Sequence, residues 1–428
     1  MRLVTTCLAG LLLAGSAQAA TIIHAGTLIV DPRESPRERQ SVVIEDGRIL
    51  RVESGFVDGS GDDRVIDLSG EVVLPGLIDS HVHLSGDPSG KYWEAVIREP
   101  AYAATVAVKN ARITLEAGFT TARDVGSRGM TTMHAVRESI RDGNIPGPRI
   151  QSAGSSMAIV GGHGDTSGFA KHVLESVFPP SKTGACTGAV ECVKRVREAS
   201  KYGADVIKIT ATGGVLSQQG RGLGQHFFDE EMEAIMDAAH ALGLKIAAHA
   251  HGAVGIKGAV RAGVDSIEHG TYLDEEGASL MAERGAWLVP TLMAFEGIRE
   301  GLAEDRYTPV VAEKVRQTLE VVGRGLRLAA EEGVNIAFGT DAGVFEHGRN
   351  AGEFALMMRY GGLSAEDALA SATVGAAALL GMTDRIGTLE AGKYADLIAV
   401  HANPLEEIET LLDVPFVMKG GEVEKDAR

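Results

Sequence analysis

The sequence predicts an α/β protein: a (β/α)₈ TIM barrel over residues 76–383, joined to a small β-sandwich drawn from both chain ends, 21–75 and 384–428. Three observations predict it. Eight short apolar runs alternate with longer segments of helical period, the pattern of repeated βα units around a parallel sheet. Turn-punctuated β-type runs occupy both ends. Histidines gather where the apolar runs stop, the rim on which barrel enzymes carry their reacting groups.

The first end alternates Thr21 to Val30, Ser41 to Ile49 broken by Asp46-Gly47, and Arg64 to Leu68 before Ser69-Gly70. The same punctuation returns at Gly387-Thr388-Leu389, Gly392 to Asp396, Leu397 to Val400 and Pro415 to Met418, so the two ends are expected to complete one sandwich. Between them the strand candidates are Gly76 to His83, Thr120 to Val125, Arg149 to Gly154, Asp205 to Thr210, Lys245 to Ala250, Ser266 to Gly270, Trp287 to Leu292 and Asn335 to Asp341. Helical spacing marks Tyr102 to Ala117, Cys192 to Tyr202, Asp229 to Leu242 and Pro309 to Glu332. Glycines at 118, 203, 243 and 263 stand where helices of this kind end in a left-handed residue.

The chain has 428 residues, 44% hydrophobic and 23% charged, which one large barrel with its insertions absorbs. A formal charge of −17 and the lack of a basic run exclude nucleic acid and anionic membrane as general partners. Residues 1–20 read as an export signal: Arg2, an apolar stretch from Leu8 to Gly15, and Ala17-Gln18-Ala19 as a cleavage site. The apolar stretch is too short to span a bilayer, so a secreted or periplasmic product without a membrane anchor is expected. Removing it removes Cys7 and leaves Cys186 and Cys192, which an oxidising compartment lets pair.

The first barrel run ends in Asp79-Ser80-His81-Val82-His83, and residues at i and i+2 of a strand share a face, so both imidazoles reach one cation. The fifth ends in His249-Ala250-His251, the sixth in Glu268-His269 and the eighth in Thr340-Asp341. With His163 after the third run, six of the 13 histidines fall at or just beyond strand ends. Lys208 stands in the middle of the apolar strand Asp205 to Thr210, where an unpaired ammonium is costly. Either a carboxylate pairs with it, or desolvation lowers its pKa and the neutral amine captures carbon dioxide, giving a carbamate that bridges two metals. Arg123 and Asp124 read as supporting polar contacts at the rim, and Glu268 as a group that orients an imidazole.

The segments LPGLIDSHVH, TTARDVG, VIKIT, AAHAHG, SIEHG, FGTDAG and GTLEAGKYADLIAV together resemble the amidohydrolase superfamily. More narrowly, they resemble its secreted imidazolonepropionase-like branch of Xaa-Pro and related dipeptidases, to which ochratoxin-cleaving amidohydrolases are also similar. The resemblance spans nearly the whole mature chain. It implies that His81 and His83 ligate one divalent metal, that His249 and His269 ligate a second, and that N6-carboxylated Lys208 bridges them. Asp341 then binds the first metal and carries protons, with His251 just past the ligand position; its spacing of two from His249 leaves their assignment open. Sites of the imidazolonepropionase type hold one metal without the lysine, so Lys208 points away from that activity. Zinc suits the imidazole-rich set, and manganese or cobalt also fit mixed nitrogen and oxygen ligands. A histidine in a similar Gly-Gly-His-Gly setting faces substrate in the family, which makes His163 a candidate for an α-carboxylate, with a turn histidine as the other reading. Tyr272 is a substrate-binding candidate on the same footing. Relatives are often homo-octameric, so a homo-oligomer is expected.

The implied reaction is attack of hydroxide, formed near neutral pH between two cations, on the amide of a dipeptide or N-acyl amino acid with a free carboxylate, ochratoxin-type amides included. Asp341 returns the proton to the leaving amine. The alternatives are a lactone or cyclic-amide hydrolase using the same centre, and a non-catalytic metal- or solute-binding protein.

Overall fold

The computed structural model describes residues 19–218 and 222–428. The leader expected over residues 1–20 lies, but for its last two residues, outside the described residues, as does Cys7. Both chain ends meet in one seven-stranded sheet, in the order Glu422–Asp426, Phe416–Lys419, Leu397–Val400, Arg64–Pro75, Thr21–Leu28, Arg37–Glu45, Arg48–Ser54. The twelve-residue strand Arg64–Pro75 joins the two ends. Its first part pairs in parallel with Thr21–Leu28, and its last part pairs antiparallel with Leu397–Val400, Val400 facing Val72 and Leu397 facing Pro75. The sequence leads one to expect two packed sheets, whereas hydrogen bonding here runs unbroken through one. Strand periodicity reveals which face is buried, not how strands divide among sheets. The buried face carries Ile23, Leu28, Val42, Ile66, Leu397 and Phe416 in one cluster.

Among the described residues, eight further parallel strands stand in sheets of three and five, beside one short two-stranded parallel pair. Leu77–Val82, Phe119–Asp124 and Arg149–Ser152 make the first; Val206–Thr210, Lys245–Ala250, Ser266–His269, Trp287–Val289 and Asn335–Ile336 make the second. Backbone bonds tie the edges together. At one junction Ser80 N donates to Phe338 O at 2.9 Å and Asp341 N to His81 O at 2.7 Å; at the other Asp205 N donates to Ser152 O at 2.9 Å and Met157 N to Lys208 O at 2.7 Å.

Alternation along the strands sorts side chains between two environments. Ile207 and Ile209 pack with Met232, Ile235 and Ile256 of the flanking helices. Val206 instead packs with Val125, Ala153 and Ala247 of neighbouring strands. Lys208, two residues on from Val206, is therefore directed to the inner side and sits in register with Ala247.

The strand Trp287–Val289 is shorter than expected because Pro290 supplies no N–H for the ladder and Thr291 is left-handed, with φ +52°. The last strand ends at Ile336 rather than Asp341. Beyond it Phe338 N bonds Ser371 O, and Asp341 itself is left-handed with φ +61°. The helical segment expected over Pro309 to Glu332 is two helices, Pro309–Leu319 and Arg324–Glu331, separated before Gly323 with φ +73°. Gly263 caps helix Ala253–Ala262 with φ +102°, as the sequence leads one to expect. Cys186 and Cys192 are disulfide-bonded, with Cα atoms 5.1 Å apart. The bond ties the short strand Ala185–Cys186 to helix Ala189–Lys201, beside Ala158–Ile159, from which the chain enters the loop that carries His163.

Candidate metal centre

The ends of the parallel strands surround a cavity of about 250 Å³. His81, His83, His163, Lys208, His249, His251, His269 and Asp341 all line it, brought together from segments up to 260 residues apart, 341 − 81. Ligand atoms of His249, His251 and His269 lie within 4.8 Å of one another, and so do those of His81, His269 and Asp341. The His251 ring stacks on that of His269 with centroids 4.9 Å apart. That places His251 in the wall of the cavity itself, where the resemblance implies a position behind the ligands.

Hydrogen bonds fix which nitrogen of the first pair faces inward. Glu268 Oε2 lies 2.7 Å from His81 Nδ1, and the carbonyl of Gly126 lies 2.6 Å from His83 Nδ1. A carboxylate and a carbonyl only accept, so each Nδ1 carries the proton and each Nε2 turns a lone pair inward. Those two Nε2 atoms stand 3.5 and 3.2 Å from the same oxygen, Asp341 Oδ1. Two lone pairs and an anionic oxygen repel at such distances unless a positive charge sits among them. A divalent cation supplies that charge, and in its absence a proton on His83 does. Burial pulls the His83 pKa down, but the Asp341 carboxylate beside it holds it above the ordinary imidazole value.

Glu268 stays ionised in a fully buried place. Burial pushes its carboxyl up, and the Arg123 guanidinium outweighs this, donating to Oε1 at 2.8 Å while Ser266 Oγ donates at 2.5 Å. Arg123 also donates to Ser80 O at 2.6 Å. It thus supports the His81 turn and its orienting carboxylate at once. Asp124 accepts from Leu84 N at 2.7 Å and from Ser127 Oγ at 2.7 Å, fixing the chain on both sides of His83 and Gly126. Both residues have the supporting contacts expected of them.

Lys208 is 3% exposed, and its Nζ has no hydrogen-bond partner among the described residues; the same holds for Asp341 Oδ1. Burial pushes the amine down to about 8 despite the carboxylates of Glu268 and Asp341. Burial likewise lowers His81 to about 4 and His163 and His251 to about 3, and it holds His249 and His269 well below the imidazole value. Neutral imidazoles are the form that binds metal. The donor set therefore fits divalent cations: two inward lone pairs, an acid without a donor, a cluster of three further imidazoles and an amine without an acceptor.

Sequence reading alone did not single out several contributors. Thr271 Oγ1 lies 2.7 Å from His251 Nδ1 and Thr291 Oγ1 2.7 Å from His269 Nδ1. Each follows a strand end, the one signal that pointed to them. Ser156, Thr210, Phe295 and Ile298 also line the cavity. His269, Thr291 and Asp341 are left-handed non-glycine residues, a costly conformation that clusters at functional sites. Tyr272 is half-buried, donates its backbone N–H to His251 O at 2.9 Å, and is absent from the cavity lining, so the structure does not bring it to this site. The loop from Gly214 to Phe228 does reach the rim, where Val215 and Leu216 line the cavity; its residues 219–221 lie outside the described ones.

The sequence profile of the Amidohydrolase family matches residues 72–423. Ochratoxinase from Aspergillus niger is 32% identical over 95% of this chain and 86% of its own length. Imidazolonepropionase from Symbiobacterium thermophilum is 25% identical over 94% of each. Among solved structures, a Xaa-Pro dipeptidase with methionine bound in its active site superposes with a TM-score of 0.88 at 41% identity, covering 95% of this chain and 99% of the other.

Proposed function

This chain belongs to the amidohydrolase family and is a hydrolase acting on amide bonds, and from that premise we propose that it cleaves the amide of a dipeptide or N-acyl amino acid bearing a free carboxylate, with two divalent cations held at the mouth of one closed (β/α)₈ barrel. The observation that carries this reading is the convergence of His81 Nε2, His83 Nε2 and Asp341 Oδ1 without a donor among them, beside the unpartnered amine of Lys208.

His81, His83 and Asp341 would hold one cation, and His269 with His249 or His251 the other. Lys208 would link them after carboxylation, in which its neutral amine bonds to carbon dioxide and releases one proton, converting a buried base into an anionic ligand. An amine lowered to about 8 has a neutral fraction for that step near physiological pH. The cations, zinc in this reading, would supply acidity to a bound water and polarisation of the scissile carbonyl.

The protein's own groups do the rest. Burial pushes the Asp341 carboxyl up, and His81 and His83 more than offset it, so the group is ionised and able to accept the proton of the attacking water. It stands at the cavity wall, from which it can pass that proton to the departing amine nitrogen. Val215, Leu216, Phe295, Ile298 and Val344 give the cavity an apolar lining beside the histidines. His163 is the candidate for the substrate carboxylate. The Xaa-Pro dipeptidase with methionine bound in its active site supports a substrate that carries a free carboxylate and an apolar side chain.

The leader and the Cys186–Cys192 bond support a secreted or periplasmic site of action. No helix among the described residues is long and apolar enough to cross a membrane. A homo-oligomer, of octameric size in this reading, is the expected assembly. The test is a screen of metal-loaded protein against dipeptides, N-acyl amino acids, lactones and cyclic amides. Release of free amino acids is expected; ring opening of lactones or cyclic amides with the linear amides untouched would refute the reading.

A further inference from the structure

Helix Pro309–Leu319 stands behind the cavity and turns one charged side chain inward. Lys314 is 7% exposed, and burial pushes its amine down to about 8. Its Nζ donates to Gly214 O at 2.8 Å and to Ser217 O at 2.7 Å. Those carbonyls bracket Val215 and Leu216, which line the cavity, whereas Lys314 does not. The same helix supplies Val311 and Val315, against which Val215 packs together with Ile298. Just before the helix, Thr308 Oγ1 donates to Gln218 at 2.9 Å.

This segment also fixes His163. Ser217 Oγ lies 2.6 Å from its Nδ1, and the ring lies so close over Gly214 that a Cβ there would sit 2.2 to 2.4 Å from ring atoms. The ring is 4.3 Å, centroid to centroid, from that of His249. With Nδ1 engaged by Ser217, Nε2 is the nitrogen left to meet a ligand.

We propose that Lys314 is a positioning residue that sets substrate selectivity: by holding the carbonyls of Gly214 and Ser217 it fixes both the apolar wall of Val215 and Leu216 and the aim of His163, without touching substrate. The proposal rests on the reading of this cavity as the substrate site of an amide hydrolase. Without those two hydrogen bonds, both carbonyls lose their clamp and the wall loses its register against Ile298. Side-chain discrimination then weakens while the groups around the metal centre stay in place.

The test compares metal-loaded wild type, Lys314→Met, Lys314→Arg and Ser217→Ala on N-acyl amino acids whose side chains run from alanine to phenylalanine. Lys314→Met is expected to keep its metal content and its kcat on small substrates. Its KM should rise for every substrate through the loosened His163, and about tenfold further for the phenylalanine substrate, so that the preference for large apolar side chains drops by about that factor, the size of effect one pocket contact carries. Lys314→Arg should restore part of that preference. Ser217→Ala should raise KM for every substrate alike, because it frees His163 and leaves the wall intact.

A second readout needs no turnover. Amide hydrogen exchange across residues 213–218 of the metal-free protein should speed up in Lys314→Met, with the barrel strands unchanged. Wild-type KM values, or wild-type exchange across that segment, in a folded Lys314→Met protein overturn the proposal. Should Lys314→Met fail to fold, Lys314→Arg, which keeps the charge and alters the donor geometry, carries the same comparison. Failure of the wild type on every amide overturns the functional reading instead, and the exchange measurement then judges the clamp by itself.

Discussion

Glu268→Gln replaces one carboxylate oxygen by an amide NH₂ in a fully buried position. In the wild type, Oε1 accepts from Arg123 at 2.8 Å and from Ser266 at 2.5 Å, and Oε2 faces His81 Nδ1 at 2.7 Å. Arg123 has only donors to offer there, so the amide oxygen takes the Oε1 place and the NH₂ faces His81. Two donors cannot share that contact. The imidazole proton must leave Nδ1 for Nε2, the atom 3.5 Å from Asp341 Oδ1, and that nitrogen loses the lone pair a cation needs. Losing a partner of this kind typically weakens metal binding about 10- to 100-fold, or about 1.4 to 2.7 kcal/mol. A second cost falls on the fold. Arg123, 2% exposed, loses its charge partner, and breaking a buried pair costs about 3–5 kcal/mol, lessened here by the oxygen that remains. The assay is zinc titration of metal-free protein against a competing chelator, paired with thermal unfolding. At least tenfold weaker binding and a lower unfolding midpoint are expected; binding within about twofold of wild type would refute the tautomer argument.

Three further outcomes follow from the same geometry. Lys208→Ala should lose metal, and metal uptake by the wild-type apoprotein should increase with added bicarbonate; full occupancy in the variant would contradict the carbamate link. Asp341→Asn should keep substantial metal while its turnover falls about 10²- to 10⁴-fold, the usual worth of a general acid–base group; unchanged rates would remove the proton-carrier role. The third concerns acid. His81 titrates at about 4 in the fold against 6.5 outside it, with His163 and His251 lower still at about 3, so between those values the unfolded chain binds more protons than the folded one. Stability of the metal-free protein should therefore fall as pH drops below 6.5 and continue to fall toward 4, and a flat unfolding midpoint from pH 7.5 to 5 would show that these imidazoles are not buried neutral.

Much of the scaffold was legible because local chemistry decides it. The run Lys245 to Ala250 is a strand with the bounds read from its apolar residues, and Gly263 ends its helix as a left-handed cap. The histidines were legible because strand alternation alone assigns them a face and the ends of the parallel strands assign them a neighbourhood. Contacts between distant strands were not. That Glu268 orients His81, 187 positions away, rather than its neighbour His269, depends on which strands stand opposite one another. The early end of Trp287–Val289 had a visible cause in Pro290, but the left-handed turn at Thr291 that directs its hydroxyl to His269 has no sequence signature in a β-branched residue. Tyr272, read equally as a substrate contact or a structural residue, stands outside the cavity lining: nearness in sequence to His269 does not by itself place a side chain at the site.

The claim at the centre of this account is that groups at the ends of four parallel strands, with Asp341 from the turn beyond a fifth, hold a pair of cations through Lys208. Metal analysis of stepwise-reconstituted apoprotein tests it most directly, with amide hydrolysis followed at each addition. Two equivalents per chain, with activity appearing as the second binds, is the predicted result. Full activity at one equivalent, or in protein stripped of metal, would contradict it.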